Sequence, residues 1–296
     1  MQFRTILQAT RPSFLILSPI CVFLGTSTAI AAQGNIDINL LALILIGALC
    51  AHIGVNTLNE YSDFKSGLDI HTIKTPFSGG SGALPENPGM ISMVLFAAIV
   101  SVSVTAIIGL YFISNHGLFI MAIGIIGLVI ILTYTQWINR WPLVCLIAPG
   151  LGFGTLMVVG THFVLTGENS VAPWLASLVP FFLVNNLLLL NQYPDMEADR
   201  NFGRYHFPIA YGTKAASYIY GLFVIAAYIT IMTGVYLGYF PTFSLAALVP
   251  AVFSLFATTG AFRHGKHIGD YPEYLGANVA ATLLAPLFLG ITIILG

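Results

Sequence analysis

Charge is nearly missing from this sequence. Of 296 residues only 7% are Asp, Glu, Lys or Arg, while 57% are hydrophobic. A soluble domain carries about 25% charged residues. The scarcity excludes a water-facing surface and leaves an integral membrane protein. Cysteine is scarce too. Cys21, Cys50 and Cys145 all lie in apolar runs, which argues against a disulfide framework and for small core residues. The net charge of −1 carries little information when lipid surrounds most of the surface. No nucleic-acid partner is expected, and the lipid bilayer is.

What is abundant is apolar run. Runs of about 20 residues, the length needed to cross a bilayer, fall near 12–32, 39–58, 89–113, 117–134, 141–165, 171–190, 215–237, 241–262 and 275–295. Backbone in lipid must satisfy its own hydrogen bonds, so these are helices. The expectation is an all-α, multi-pass bundle of nine spans in a single domain, 1–296. The opening "MQFRTILQATR" and the later "AIAAQ" imitate a secretory leader. The run between them is longer than a leader core, so a retained first span is expected.

Lysine and arginine are absent from every second connection. With the N-terminus in the cytoplasm, the inner segments are 1–11, 59–88, 135–140, 191–214 and 263–274, and all ten Lys and Arg fall there. The positive-inside rule then places the N-terminus inside and the C-terminus outside. Nine of the eleven acids lie on the same side, Asp37 and Glu168 being the exceptions. Topology does not require acids there, so the two long inner segments carry something more.

Those segments repeat each other. One begins "NEYSDFKSGLD", Asn59 to Asp69, and the other "NQYPDMEADRNFG", Asn191 to Gly203. They follow spans two and six, four helices apart, and so share a side. This is the pattern of an internal repeat, roughly 1–134 and 135–296, that joins two half-sites. Asn59 and Asp63 are four apart and share a helix face, which His52 and Asn56 extend into the membrane. Asn191, Asp195 and Asp199 repeat that spacing. Pro194 suggests a kink or a fresh first turn. Asp69 lies past a Ser-Gly pair, folded back beyond the helix end. Glu197 points elsewhere and is expected to be a bystander or the partner of a loop cation.

Four carboxylates in one cleft repel each other and require cations. Asp63, Asp69, Asp195 and Asp199, with nearby carboxamides, are hard oxygen donors suited to Mg²⁺, which favours phosphate-bearing partners. Asn59, Asn191, Lys65, Lys74, Arg140 and Arg200 are expected on a diphosphate. Arg204 lies in the same loop. Such a set stabilises charge that builds on a leaving diphosphate. Tyr134 is either an interfacial belt residue or a cation contact; Asn56 is a second candidate for cation or acceptor. The Gly- and Pro-rich stretch 75–89 suits a connector or a loop that closes over the diphosphate, with Lys74 as its clamp. Gly150, Gly152, Gly154 and Gly160 either permit close helix packing or make room for a chain.

The paired motifs resemble the UbiA superfamily of intramembrane prenyltransferases along nearly the whole chain. The resemblance implies a polyprenyl diphosphate held through Mg²⁺, ionisation to an allylic cation, and capture by an aromatic acceptor. The Asp-x₅-Asp spacing of Asp63 and Asp69, "TRPSFLILSPICVFLG" and "YTQWINRWP" are similar to the branch that prenylates 1,4-dihydroxy-2-naphthoate on the way to menaquinone. An active site facing the cytoplasm, in the cell or inner membrane, is implied as well. Glu60 stands where the family usually has Asp, and "GRYHFPIAYG" departs from its G-[KR]-x-T-L pattern; 4-hydroxybenzoate or a non-quinone acceptor therefore stays open. A cation-coupled transporter is the rival class, but transporter acids lie near the midplane and these lie at one edge.

Overall fold

A computed structural model describes every residue except Met1, Ile73 and Pro76, with Gln2 described in its backbone alone. The described residues are helical, with no strand. After a short helix, Gln2–Ala9, come α1 (Pro12–Gln33), α2 (Ile38–Ser66), α3 (Pro88–His116), α4 (Leu118–Thr133), α5 (Pro142–Thr166), α6 (Val171–Asn201), α7 (Phe207–Tyr236), α8 (Thr242–Asp270) and α9 (Pro272–Leu295). Eight of these are long and apolar enough to cross a membrane. The exception is α4, expected as the fourth span, with 16 residues. At 1.5 Å per residue it extends about 24 Å, short of a hydrocarbon core of about 30 Å.

The two helices that carry the acidic motifs are longer than a membrane requires. α2 has 29 residues and α6 has 31, or roughly 45 Å each. Their ends therefore overshoot the apolar layer and carry Asp63, Asp195 and Asp199 beyond it. Asp37 caps the start of α2, accepting from the amides of Asn39 at 2.7 Å and Leu40 at 3.3 Å. Gly67, at φ 86°, stops it and turns the chain back so that Asp69 lies beside the last turn. α6 continues through Pro194 to Asn201 as one helix; no new segment starts at the proline. α7 begins at Phe207, ahead of the expected apolar start, and breaks at Gly212, φ 81° and ψ 161°.

α6 is the axis of the bundle. Its apolar window is 67% buried, against 22% for α2 and 11% for α3. Polar staples fix α6 to its neighbours. Asn186 donates to the Tyr220 carbonyl at 2.9 Å, the Tyr220 hydroxyl to Asn278 at 2.9 Å, and Asn278 back to the Asn186 carbonyl at 3.2 Å. Such bonds satisfy groups that lipid cannot. α5 packs on α6 with no room to spare: a Cβ at Gly150 would lie 2.1 Å from the Phe181 carbonyl, and one at Gly154 2.4 Å from the Phe181 nitrogen. Close packing is the role of these two glycines. Gly152 meets nothing within 4 Å and lines a cavity instead.

Candidate active site

The last turns of α2 present Asn59, Glu60 and Asp63, and those of α6 present Asn191, Asp195 and Asp199. One guanidinium joins the two ends. Arg204 donates from Nη2 to Asp63 Oδ1 and from Nη1 to Asp199 Oδ1, the latter at 2.9 Å. His206 Nε2 lies 3.0 Å from the other Asp199 oxygen. Asp63 and Asp199 are both buried, so an opposite charge is what makes them tolerable there. Burial pushes the Arg204 charge down, but the two carboxylates outweigh it and hold the group above its ordinary range.

The other two acids keep free oxygens. Asp195 Oδ2 accepts from the Gly79 amide at 3.2 Å, whereas its Oδ1 is buried without a partner. Asp69 Oδ2 and Asn191 Oδ1 are likewise buried and unpartnered. Burial, with Asp63 and Glu60 close by, pushes the Asp69 carboxyl up to about 8. Unmet buried oxygens of this kind suit a hard cation. Among the described residues, no three acid, His or Cys side chains lie close enough together to hold a metal unaided. The donor chemistry fits Mg²⁺, and water and phosphate oxygens must complete its shell.

The loop after the first motif connects the two halves. Ser81 donates from its hydroxyl to Glu60 Oε1 and from its amide to Glu60 Oε2, the latter at 3.2 Å. Glu60 is fully buried, and its carboxylate receives Arg11 at 3.5 Å. The Lys74 ammonium folds onto the Ser81 carbonyl. Gly80, at φ 75°, passes so close that a Cβ there would sit 2.8 Å from Asp69 Oδ1. The loop is thus latched to Glu60 at one end and to Asp195, through Gly79, at the other.

Two cavities lie side by side here. The larger, about 540 Å³, is apolar and runs between α1, α2, α3, α4 and α5, from Asn59 and Asn191 to Ile113 and Ile120 at the far ends of their helices. Asn56 and Tyr134 line it. Asn56 also donates to the Thr10 carbonyl at 2.9 Å, and the Tyr134 hydroxyl lies 3.9 Å from Cys145 Sγ. The smaller cavity, about 320 Å³, holds Asp63, Lys65, Asn139, Arg140 and Arg204. Asn59 Nδ2 donates to Thr135 Oγ1 at 3.3 Å across the junction.

Among the residues expected on a diphosphate, Lys65 and Arg140 share the smaller cavity with Asp63. Lys65 rests on Tyr61, 3.3 Å from its hydroxyl. Lys74 is engaged with the loop. Arg200 is exposed, directed at the Ile209 carbonyl at 3.5 Å, and lines neither cavity. Glu197 pairs with Lys266 at 2.9 Å, away from the acids. Sequence reading named Arg204 only as a nearby base and gave Arg11 no role. Both adjoin a break in the pattern, Arg204 after Gly203 and Arg11 before Pro12, but only the fold brings them onto the motifs.

A long-helix membrane bundle with paired acids at one end and an apolar tunnel beneath them is the architecture of an intramembrane transferase of lipid-chain groups. The profile of the UbiA prenyltransferase family matches residues 18–271, and the chain belongs to that family; it is a prenyltransferase. It is 30% identical over 232 residues to 1,4-dihydroxy-2-naphthoate octaprenyltransferase of Bacillus subtilis, covering 76% of this chain and 71% of the relative. It is 27% identical over 256 residues to digeranylgeranylglyceryl phosphate synthase of Thermococcus kodakarensis, covering 84% and 85%. A UbiA homologue from Archaeoglobus fulgidus, solved bound to DMAPP and Mg²⁺, superposes with a TM-score of 0.69 at 14% identity, over 98% of this chain and 99% of that one.

Proposed function

We propose that this chain transfers a polyprenyl group from a polyprenyl diphosphate to an aromatic acceptor, 1,4-dihydroxy-2-naphthoate, in a Mg²⁺-dependent reaction. The observation that carries the reading is the junction of the two cavities. A polar one with three cations and Asp63 opens beside an apolar one long enough for an isoprenoid chain. The name of the Bacillus subtilis relative supports the acceptor. The solved Archaeoglobus fulgidus homologue supports the metal.

In this scheme Asp63, Asp69, Asp195 and Asp199 hold Mg²⁺. When bound, Mg²⁺ supplies positive charge to the diphosphate oxygens. Lys65, Arg140 and Arg204 take the remaining diphosphate charge, with Asn59 and Asn191 orienting it. Lys74 holds the loop that covers the site, and Arg200 is reserved for long-range attraction. The C1–oxygen bond breaks and its electron pair stays on the leaving diphosphate. The allylic cation is left at the junction, faced by Tyr134 and Asn56, where aromatic faces stabilise positive charge. A ring carbon of the acceptor bonds to C1, and the ring then loses its proton. The apolar lining and the latched loop exclude water from the cation.

The same reading assigns nine spans with α4 as a short one, an inside N-terminus, two pseudo-repeats and a site facing the cytoplasm in the cell membrane. The test is to incubate the purified protein with radiolabelled octaprenyl diphosphate, Mg²⁺ and a panel of aromatic acids. A labelled lipid product from 1,4-dihydroxy-2-naphthoate, lost with EDTA, is expected. Product formed only from a glycerol phosphate lipid, or from no acceptor at all, contradicts the reading.

A further inference from the structure

Cations are divided unequally between the two cavities. Lys65, Arg140 and Arg204 all line the polar one. The apolar one has a single charged residue in its lining, Arg11, and no acid. Glu60 meets this guanidinium at one nitrogen only, at 3.5 Å, and polar groups left unpaired beside a greasy cavity are costly.

Arg11 is held there by an unusual backbone. It is the one non-glycine residue with positive φ among the described residues, at φ 53° and ψ 64°. L-residues rarely adopt that region, and a following proline normally imposes an extended backbone. Neighbours fix it in place. The Thr10 carbonyl accepts from Asn56, and the Arg11 amide donates to the Gln8 carbonyl at 3.0 Å. Strained backbone that its surroundings over-determine is characteristic of binding sites.

The guanidinium is only half used. Nη2 donates to Asn59 Oδ1 at 3.1 Å and lies 3.5 Å from Glu60 Oε2. Nε is buried with no partner, and Nη1 has no hydrogen bond to a described residue. Asn59 is also the residue bonded to Thr135 across the junction. The free donors therefore sit beside Asn59, in the lining of the apolar cavity. The polar cavity already offers a diphosphate three cations, Lys65, Arg140 and Arg204.

We propose that Arg11 binds the carboxylate of an aromatic acid acceptor and so fixes which ring carbon faces the prenyl cation. The inference rests on the aromatic-acceptor reading above and names the residue that selects within that class. Guanidinium donors suit a carboxylate because they can engage both oxygens in one plane. The acceptor lies with its ring in the apolar cavity and its acid at Arg11.

Two measurements test this. The first is equilibrium binding by calorimetry of 1-hydroxy-2-naphthoate and of 1-naphthol, which lacks the carboxylate. The wild type should bind the acid more tightly than the naphthol, and Arg11→Gln should weaken the acid about 100-fold, the worth of hydrogen bonds to charged groups, while leaving the naphthol unchanged. The second is steady-state transfer with Arg11→Gln and Arg11→Lys. KM for 1,4-dihydroxy-2-naphthoate should rise in both, less in the lysine variant, while KM for the prenyl diphosphate stays within about twofold. Equal binding of acid and naphthol by the wild type overturns the proposal, whether or not Arg11→Gln folds. So does a rise in the prenyl diphosphate KM alone, or Arg11-dependent binding of a glycerol phosphate lipid where the naphthoate does not bind. The binding comparison stands apart from turnover; a wild type that prenylates no acceptor contradicts the proposed function instead.

Discussion

The two acidic stretches have nearly the same letters and very different surroundings. The first ends α2, a helix that faces lipid and cavity along most of its length. The second ends α6, which is packed on nearly every side. Asp63 shares the Arg204 guanidinium with Asp199, but Asp199 has His206 as well. Asp69 and Asp195 each keep an oxygen without a partner. Asp63 and Asp199 therefore lean on protein cations in this structure, whereas Asp69 and Asp195 each keep an oxygen open. The difference teaches that the repeat does not supply two equal half-sites. The buried helix supplies a packed wall, and the less buried helix leads into the loop that is latched to both motifs.

The largest effect is expected where an unpartnered oxygen lies on the fixed wall. Asp195→Ala should abolish turnover, by about three orders of magnitude or more if it removes electrostatic stabilisation of the leaving group. The variant should still insert and elute as the wild type does, and the labelled-product assay checks both. Next comes the joint between the halves. Arg204→Ala leaves Asp63 without its cation and Asp199 with His206 alone, so a loss of about 3–5 kcal/mol is expected, seen as a lower unfolding temperature in metal-free detergent solution. Mg²⁺ should restore part of that stability, because a cation replaces the lost charge.

The loop latch should matter less. Ser81→Ala removes the hydroxyl donor to Glu60 and leaves the amide donor, so a loss of about 1–2 kcal/mol is expected in local stability. Faster hydrogen exchange at residues 77–82 relative to α6 would register it. Asp69 gives a pH test. Its carboxyl sits near 8, raised from 3.8, so the folded state holds its proton more tightly than the unfolded state does. Its contribution is full below 3.8 and is lost as pH rises through about 8. The metal-free wild type should lose stability over that window, and Asp69→Asn should flatten the decline. The smallest effect belongs to Glu197, paired with Lys266 on the surface. Glu197→Gln should change activity by no more than about twofold, since exposed pairs contribute little.

Part of this was legible in the sequence. Apolar runs of one length are enough to predict apolar helices, and eight of the nine are long enough to cross a membrane. The four-residue spacing put Asp195 and Asp199 on one face, and Glu197 on another, because a helix has few other options. What the letters did not carry is partner choice across distance. Arg200 and Arg204 look alike in sequence, yet one points at the Ile209 carbonyl and the other joins both motifs. Arg11 is one of two N-terminal arginines, and only its left-handed turn before Pro12 aims it at Asn59. The helix through Pro194 was also hidden, since tight packing of α6 outweighs one missing amide bond.

The central claim is that the two motifs form one site. The direct test is the rate of labelled product formation, with saturating Mg²⁺ and octaprenyl diphosphate, in Asp63→Asn, Asp195→Asn and the double variant. Residues that act as one unit lose nearly everything on the first substitution. The account predicts that each single variant is inactive and that the double variant is no worse. A single variant that keeps the wild-type rate, or losses that simply multiply, would contradict it.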